Sequence, residues 1–121
     1  MRFLLDTNAL IYLQKRRLAK ELPVGSYAYS VISEIELLSW PQMRPEDERV
    51  WRGLLAPLHR VELNAAVREM AIGLRRERRL KLPDAVVAAS ARVLDATLLT
   101  NDQQLLALPV VRSQPVELTH G

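Results

Sequence analysis

Three consecutive apolar residues, Phe3-Leu4-Leu5, stop at an acid, Asp6, and lead at once into Ala9-Leu10-Ile11-Tyr12-Leu13, an apolar run of helical character. A run so short and wholly apolar reads as a fully buried strand. Asp6 then stands at the carboxyl end of the first strand. In open α/β sheets that edge is where ligands bind, in the crevice between strand ends and helix starts. The fold expected is α/β, a central, mostly parallel sheet flanked by helices. What matters next is whether the rest of the chain brings further acids to the same edge.

The remainder alternates in the same way. Leu18 and Leu22 predict a short helix stopped by Pro23, and Val24-Gly25-Ser26 a turn. Tyr27–Ile32, rich in β-formers, predicts the second strand, and Ser33 opens a helix through Ser39 that Pro41 closes. Pro45 at a first helical position, followed by Glu46-Asp47-Glu48, starts a helix with acids where the dipole favours them. Val50, Trp51, Leu54, Leu55 and Leu58 give that helix a wide apolar face. Arg60–Leu63 predicts a short strand, and Asn64 caps a helix running from Ala65 to about Leu80 with Val67, Met70, Ala71 and Leu74 on its buried side. Leu82-Pro83-Asp84 opens another helix, Thr97-Leu98-Leu99 is an apolar strand, and Thr100-Asn101-Asp102 repeats at its end the arrangement seen at Asp6. A helix from Gln103 to about Leu108 and a final strand at Val110-Val111-Arg112 complete the pattern.

With 121 residues, 49% of them apolar, residues 1–121 are expected to form one domain that buries roughly two-thirds of the surface its unfolded form would expose. There are no cysteines, which fits a reducing cytoplasm and excludes thiolate zinc sites and cysteine nucleophiles. His59 and His120 lie far apart without spaced partners, so histidine zinc is not expected either. No stretch approaches the ~20 apolar residues of a membrane helix, and nothing resembles a signal peptide. The net charge is +3, but if four acids gather in one site, 17 basic residues face only the other ten acids, a basic field that favours polyanions. Arg75-Arg76-Glu77-Arg78-Arg79-Leu80-Lys81 concentrates that charge. Arg75, Arg78 and Arg79 share a helical face, with Lys81 just beyond. The stretch reads either as a solvated helix end complementing the dipole or as a phosphate track leading to a site.

Glu36 also has two readings. Ser33-Glu34-Ile35-Glu36 carries the Ser-x-x-Glu spacing of a capping box, in which Glu36 bonds back to the cap residue. Alternatively Glu36 or Glu34 serves a site, but not both, because they lie roughly 200° apart around a helix. Asp84 falls at i of an i, i+3, i+4, i+7 face shared with Val87, Ala88 and Ala91, so it lies on the side of small buried residues. Asp6, Glu36, Asp84 and Asp102 thus each sit at a strand end or in a helix's opening turns. Two carboxylates ~4 Å apart repel by about 4 kcal/mol at an effective dielectric of 20, so gathering four calls for protonation or a cation. Ligands that are all oxygen favour Mg²⁺ or Mn²⁺.

Leu4-Leu5-Asp6-Thr7-Asn8, Ser30-Val31-Ile32-Ser33-Glu34-Ile35-Glu36-Leu37, Leu82-Pro83-Asp84-Ala85-Val86-Val87-Ala88-Ala89 and Leu99-Thr100-Asn101-Asp102 resemble, in order, the four motifs of PIN-domain ribonucleases, and most closely the VapC toxins of bacterial toxin–antitoxin pairs. The resemblance spans nearly the whole chain and selects Glu36 over Glu34. Two departures stand out: Leu94-Asp95-Ala96 occupies a turn where relatives often have glycine, and Ser33 replaces a common threonine.

What the resemblance implies is an Mg²⁺-dependent endoribonuclease, a toxin, with Asp6, Glu36, Asp84 and Asp102 catalytic and Asp6, Asp84 and Asp102 holding metal. Thr7, Asn8, Thr100 and Asn101 would support them, and Arg75, Arg78, Arg79 and Lys81 would meet RNA. A cognate antitoxin and a homodimer are implied as partners. An aspartyl-nucleophile phosphohydrolase wants a second acid where Asn8 stands, and a phosphate-loop nucleotidase is excluded because the four glycines are scattered. The alternative from another class is a non-catalytic RNA- or protein-binding module on the same fold.

Overall fold

The structure is a computed structural model and describes residues 1–120. In chain order the elements are β1 (Arg2–Leu5), α1 (Thr7–Gln14), β2 (Ser26–Ser30), α2 (Val31–Leu38), α3 (Pro45–Leu55), β3 (His59–Val61), α4 (Ala65–Arg78), α5 (Leu82–Leu94), β4 (Thr97–Leu99), α6 (Gln103–Leu106) and β5 (Ser113–Gln114). The strands form one sheet in the order β3-β2-β1-β4-β5, and every pairing is parallel. The chain builds outward from β1 on one side and then, after α5, on the other. The strand order therefore reverses between β1 and β4, a topological switch point where strand ends splay a crevice open.

Alternation within the strands covers both faces. Leu4, Ala28 and Leu98 point into a core shared with α4 and α5, while Phe3, Leu5, Tyr29 and Leu99 point into a second one that takes in Leu10, Leu37 and Leu55. Helix α5 packs closest, with every residue from Ala85 to Ala91 buried. Its small side chains allow that approach. Among the described residues no helix is long and apolar enough to cross a membrane.

Several expected boundaries move. Leu18 to Leu22 is not helical. Arg16 takes a left-handed conformation (φ 55°) after α1, and Leu18 bridges to Leu118, with the Ala19 amide donating to the Glu117 carbonyl at 2.8 Å and Thr119 to that of Arg17 at 2.8 Å. The last strand is Ser113–Gln114, not Val110–Arg112, since Val111 is needed in the core and the Leu98 amide reaches the Arg112 carbonyl at 2.8 Å. Strand β2 stops at Ser30, whose hydroxyl accepts from the Ile32 amide at 3.1 Å and so caps α2 three residues earlier than Ser33. The capping-box reading of Glu36 falls with that shift. Helix α4 ends at Arg78 rather than Leu80, because Arg79 turns left-handed (φ 54°) and Leu80 drops into the core.

Candidate active site

Asp6 follows β1 directly and lies beside β4, its amide donating to the Leu99 carbonyl at 3.2 Å. It caps α1, with Oδ1 accepting from the Ala9 amide at 2.7 Å, and is only 6% exposed. Burial pushes its carboxyl above the usual range. Neighbouring Asp102 and Asp84 push the same way, while hydrogen bonds from the Thr100 hydroxyl and the Ala9 amide pull back.

Asp102 caps α6 after β4, Oδ1 accepting from the Gln104 amide at 2.8 Å and the Leu105 amide at 3.1 Å. The fully buried Thr100 hydroxyl accepts from the Asp102 amide at 3.0 Å. Its proton is thereby free to turn toward Asp6, whose carboxyl it helps to pull back down. Asp84, in the first turn of α5, is also raised, by burial first, then by Asp102 and Glu36, against the pull of Lys81. Glu36 stands exposed on α2, and its Oε1 accepts from the Thr7 hydroxyl at 2.8 Å.

Each acid therefore arrives on a different element, and the repulsions link all four: Asp6 with Asp84 and Asp102, and Asp84 with Asp102 and Glu36. Among the described residues no three acidic or histidine side chains close into a ready metal cage. The four acids are neighbours without closing on one point.

The supporting residues divide. Thr7 and Thr100 touch the acids, and Asn8 is exposed in the first turn of α1. Asn101 faces away, clasping the backbone of Val116 through Nδ2 (3.1 Å) and Oδ1 (2.9 Å). Arg75, Arg78, Arg79 and Lys81 are exposed along the end of α4 and the link to α5. Arg79, being left-handed, leaves the helical ridge, and Arg75 donates to the Leu80 carbonyl at 3.3 Å. Sequence reasoning missed Ser33, whose Oγ lies 2.8 Å from Thr7 Oγ1. Its i, i+3 spacing from Glu36 was the available signal.

A parallel sheet whose switch point gathers acids from strand ends and helix starts defines a class, the α/β domains with a carboxylate-lined cleft. Within that class the chain belongs to the PIN domain family, whose profile matches residues 3–110. Solved structures agree. A chain of VapBC2 from Rickettsia felis, bound to a promoter DNA fragment, superposes with a TM-score of 0.80 at 20% identity, covering 97% of this chain and 100% of that one. A toxin–antitoxin complex from Klebsiella pneumoniae gives 0.74 at 28% identity, covering 89% and 93%. VapBC-1 from nontypeable Haemophilus influenzae gives 0.77 at 23%, covering 95% and 98%. No curated protein matches by sequence.

Proposed function

We propose that this chain is a metal-dependent endoribonuclease and the toxin of a VapBC-like toxin–antitoxin pair. What supports the reading is that, near the reversal of strand order between β1 and β4, Asp6 feels the charges of Asp84 and Asp102, and Asp84 those of Asp102 and Glu36. The donor set fits a hard divalent cation, because every candidate ligand is a carboxylate oxygen and two of the acids are raised by burial and mutual repulsion that a cation would relieve. Asp6, Asp84 and Asp102 would hold Mg²⁺, with Mn²⁺ an alternative and Glu36 a further ligand or the base. When bound, the ion lowers the pKa of water and offsets charge on the phosphorane-like transition state. Glu36 takes a proton from the attacking water, and Thr7 keeps its carboxylate in place. Thr100 fixes Asp6 relative to Asp102. Water adds to phosphorus as the P–O3′ bond breaks, and the departing O3′ takes up a proton from solvent, leaving a 3′-hydroxyl and a 5′-phosphate.

The toxin reading draws support from the similar structures from Rickettsia felis, Klebsiella pneumoniae and Haemophilus influenzae, each of which is a VapBC or toxin–antitoxin complex. It implies a cytoplasmic protein that pairs with an antitoxin and forms a homodimer. Digestion of total RNA with Mg²⁺ or Mn²⁺ and mapping of the cut ends tests the activity directly, with the metal-free protein as control. A second reading has the open spacing of the acids in its favour: a non-catalytic RNA- or protein-binding module. Such a module binds equally well after Asp6→Asn and Asp84→Asn, whereas the nuclease loses cleavage.

A further inference from the structure

Two serines are buried on helices, and their hydroxyl protons go to different places. Ser90 on α5 donates to the Val86 carbonyl one turn back at 2.7 Å, the local choice common to helical serines. Ser33 on α2, fully buried, instead has its Oγ 2.8 Å from Thr7 Oγ1, on another helix. Thr7 Oγ1 also lies 2.8 Å from Glu36 Oε1. A hydroxyl carries one proton and an ionised carboxylate only accepts. Thr7 therefore donates to Glu36, and Ser33 must donate to Thr7.

We infer that Ser33 is a positioning residue: the buried origin of a two-bond relay, Ser33 to Thr7 to Glu36, that ties the exposed Glu36 carboxylate to the corner where β1 becomes α1. The inference rests on reading the cleft as a nuclease site. An exposed glutamate otherwise samples many rotamers. Ser33 and Glu36 lie one turn apart on a shared face of α2, so a single hydroxyl from α1 reaches both. Donors in series also polarise one another, which strengthens the terminal bond to the carboxylate. A threonine at 33 keeps the relay and an alanine deletes its origin.

The test compares Ser33→Ala, Ser33→Thr and the parent in Mg²⁺-supported RNA cleavage, and by carbon-13 relaxation of the Glu36 side chain in the metal-free proteins. Ser33→Ala should retain a cooperative melt, lower kcat to between about a tenth and a hundredth with KM nearly unchanged, and set Glu36 in motion. Ser33→Thr should restore both. In a Glu36→Gln background Ser33→Ala should cost nothing more. Parent-like kcat with an ordered Glu36, or an equal loss in the Glu36→Gln background, overturns the relay. Should Ser33→Ala not fold, the near-isosteric Thr7→Val removes the middle of the relay and decides by the same two readouts. A parent that cleaves no RNA ends the nuclease reading, while the order of Glu36 in metal-free Ser33→Ala still decides whether the relay holds it.

Discussion

Asp6 meets two demands that conflict. Its Oδ1 caps α1, which favours an ionised acceptor, while burial and the neighbouring Asp102 and Asp84 raise its pKa and disfavour that charge. A carboxyl whose folded pKa lies above its unfolded one contributes stability while protonated, at low pH, and loses that contribution as pH rises through the folded value. At neutral pH without metal Asp6 is therefore a liability to the folded state. Asparagine keeps an oxygen to accept from the Ala9 amide and sheds the charge. Metal-free Asp6→Asn should melt at or above the parent at pH 7, with the gap closing as the pH is lowered and the parent's Asp6 takes up its proton. Asp84→Asn should behave alike, since Asp84 is raised by the same causes. Both should cleave RNA at less than about one hundredth of the parent rate, because loss of even a residue behind the ligands typically costs 10- to 100-fold. Melts in chelator from pH 5 to 8, beside cleavage assays, check both halves. At 100 times its Kd, Mg²⁺ should stabilise the parent by about 2.7 kcal/mol and the mutants by much less.

At the scale of elements, what local residues dictate was legible and what distant partners dictate was not. Asp6 could be placed from sequence because it directly follows a short apolar run, Asp102 because it stands three residues past another, and Asp84 because Pro83 marks a helix start. The Leu18–Leu22 segment could not, because its start is held by backbone pairing with residues 117–119, about a hundred positions away. Val110–Arg112 looked more strand-like than Ser113–Gln114, but packing demanded Val111 in the core and moved the pairing onward. At β2–α2, Val31 and Ile32 favour a strand on propensity, and the Ser30 cap overrides them. That error hid Ser33 and its link to Thr7. The end of α4 yields a prediction of its own. Arg79 is held at φ 54°, where a residue with a Cβ is disfavoured by roughly 1–2 kcal/mol and glycine is not. Arg79→Gly should stabilise the protein by about 1 kcal/mol, raising Tm by ~3–5 °C, as calorimetry would show. An unchanged or lower Tm would mean that the Arg79 side chain contributes as much as the strain removes. Asp95, at φ 56° in the turn after α5, is a weaker candidate, because Arg112 donates to its Oδ1 at 3.0 Å and that exposed pair would be lost.

At the scale of the whole molecule, charge is separated along one path. The chain carries 17 basic and 14 acidic residues, and the fold runs its densest basic stretch, from the last turn of α4 through Lys81, into the helix whose first turn holds Asp84. Cations thus stand at the approach to a cleft of acids, an arrangement that can seat a polyanion and bring its backbone to the site. The competing account is a helix end whose cations merely complement the dipole. Salt dependence separates the two, because each phosphate contact on a single strand contributes about 0.7 to the slope of log affinity against log salt. Arg75 is a poor probe, since its tie to the Leu80 carbonyl mixes binding with the stability of the turn. Arg78→Ala and Lys81→Ala should each weaken RNA binding to catalytically dead Asp6→Asn protein about equally across sequences, and each should flatten the slope by about 0.7, with the pair flattening it by about 1.4. In active protein Arg78→Ala should raise KM and leave kcat alone. Lys81→Ala should affect both, because Lys81 attracts the Asp84 carboxylate and offsets part of the rise in its pKa. Slopes identical to the parent's in both mutants would return the ridge to its role as an ordinary solvated helix end, and the path of the RNA would have to be sought on another face.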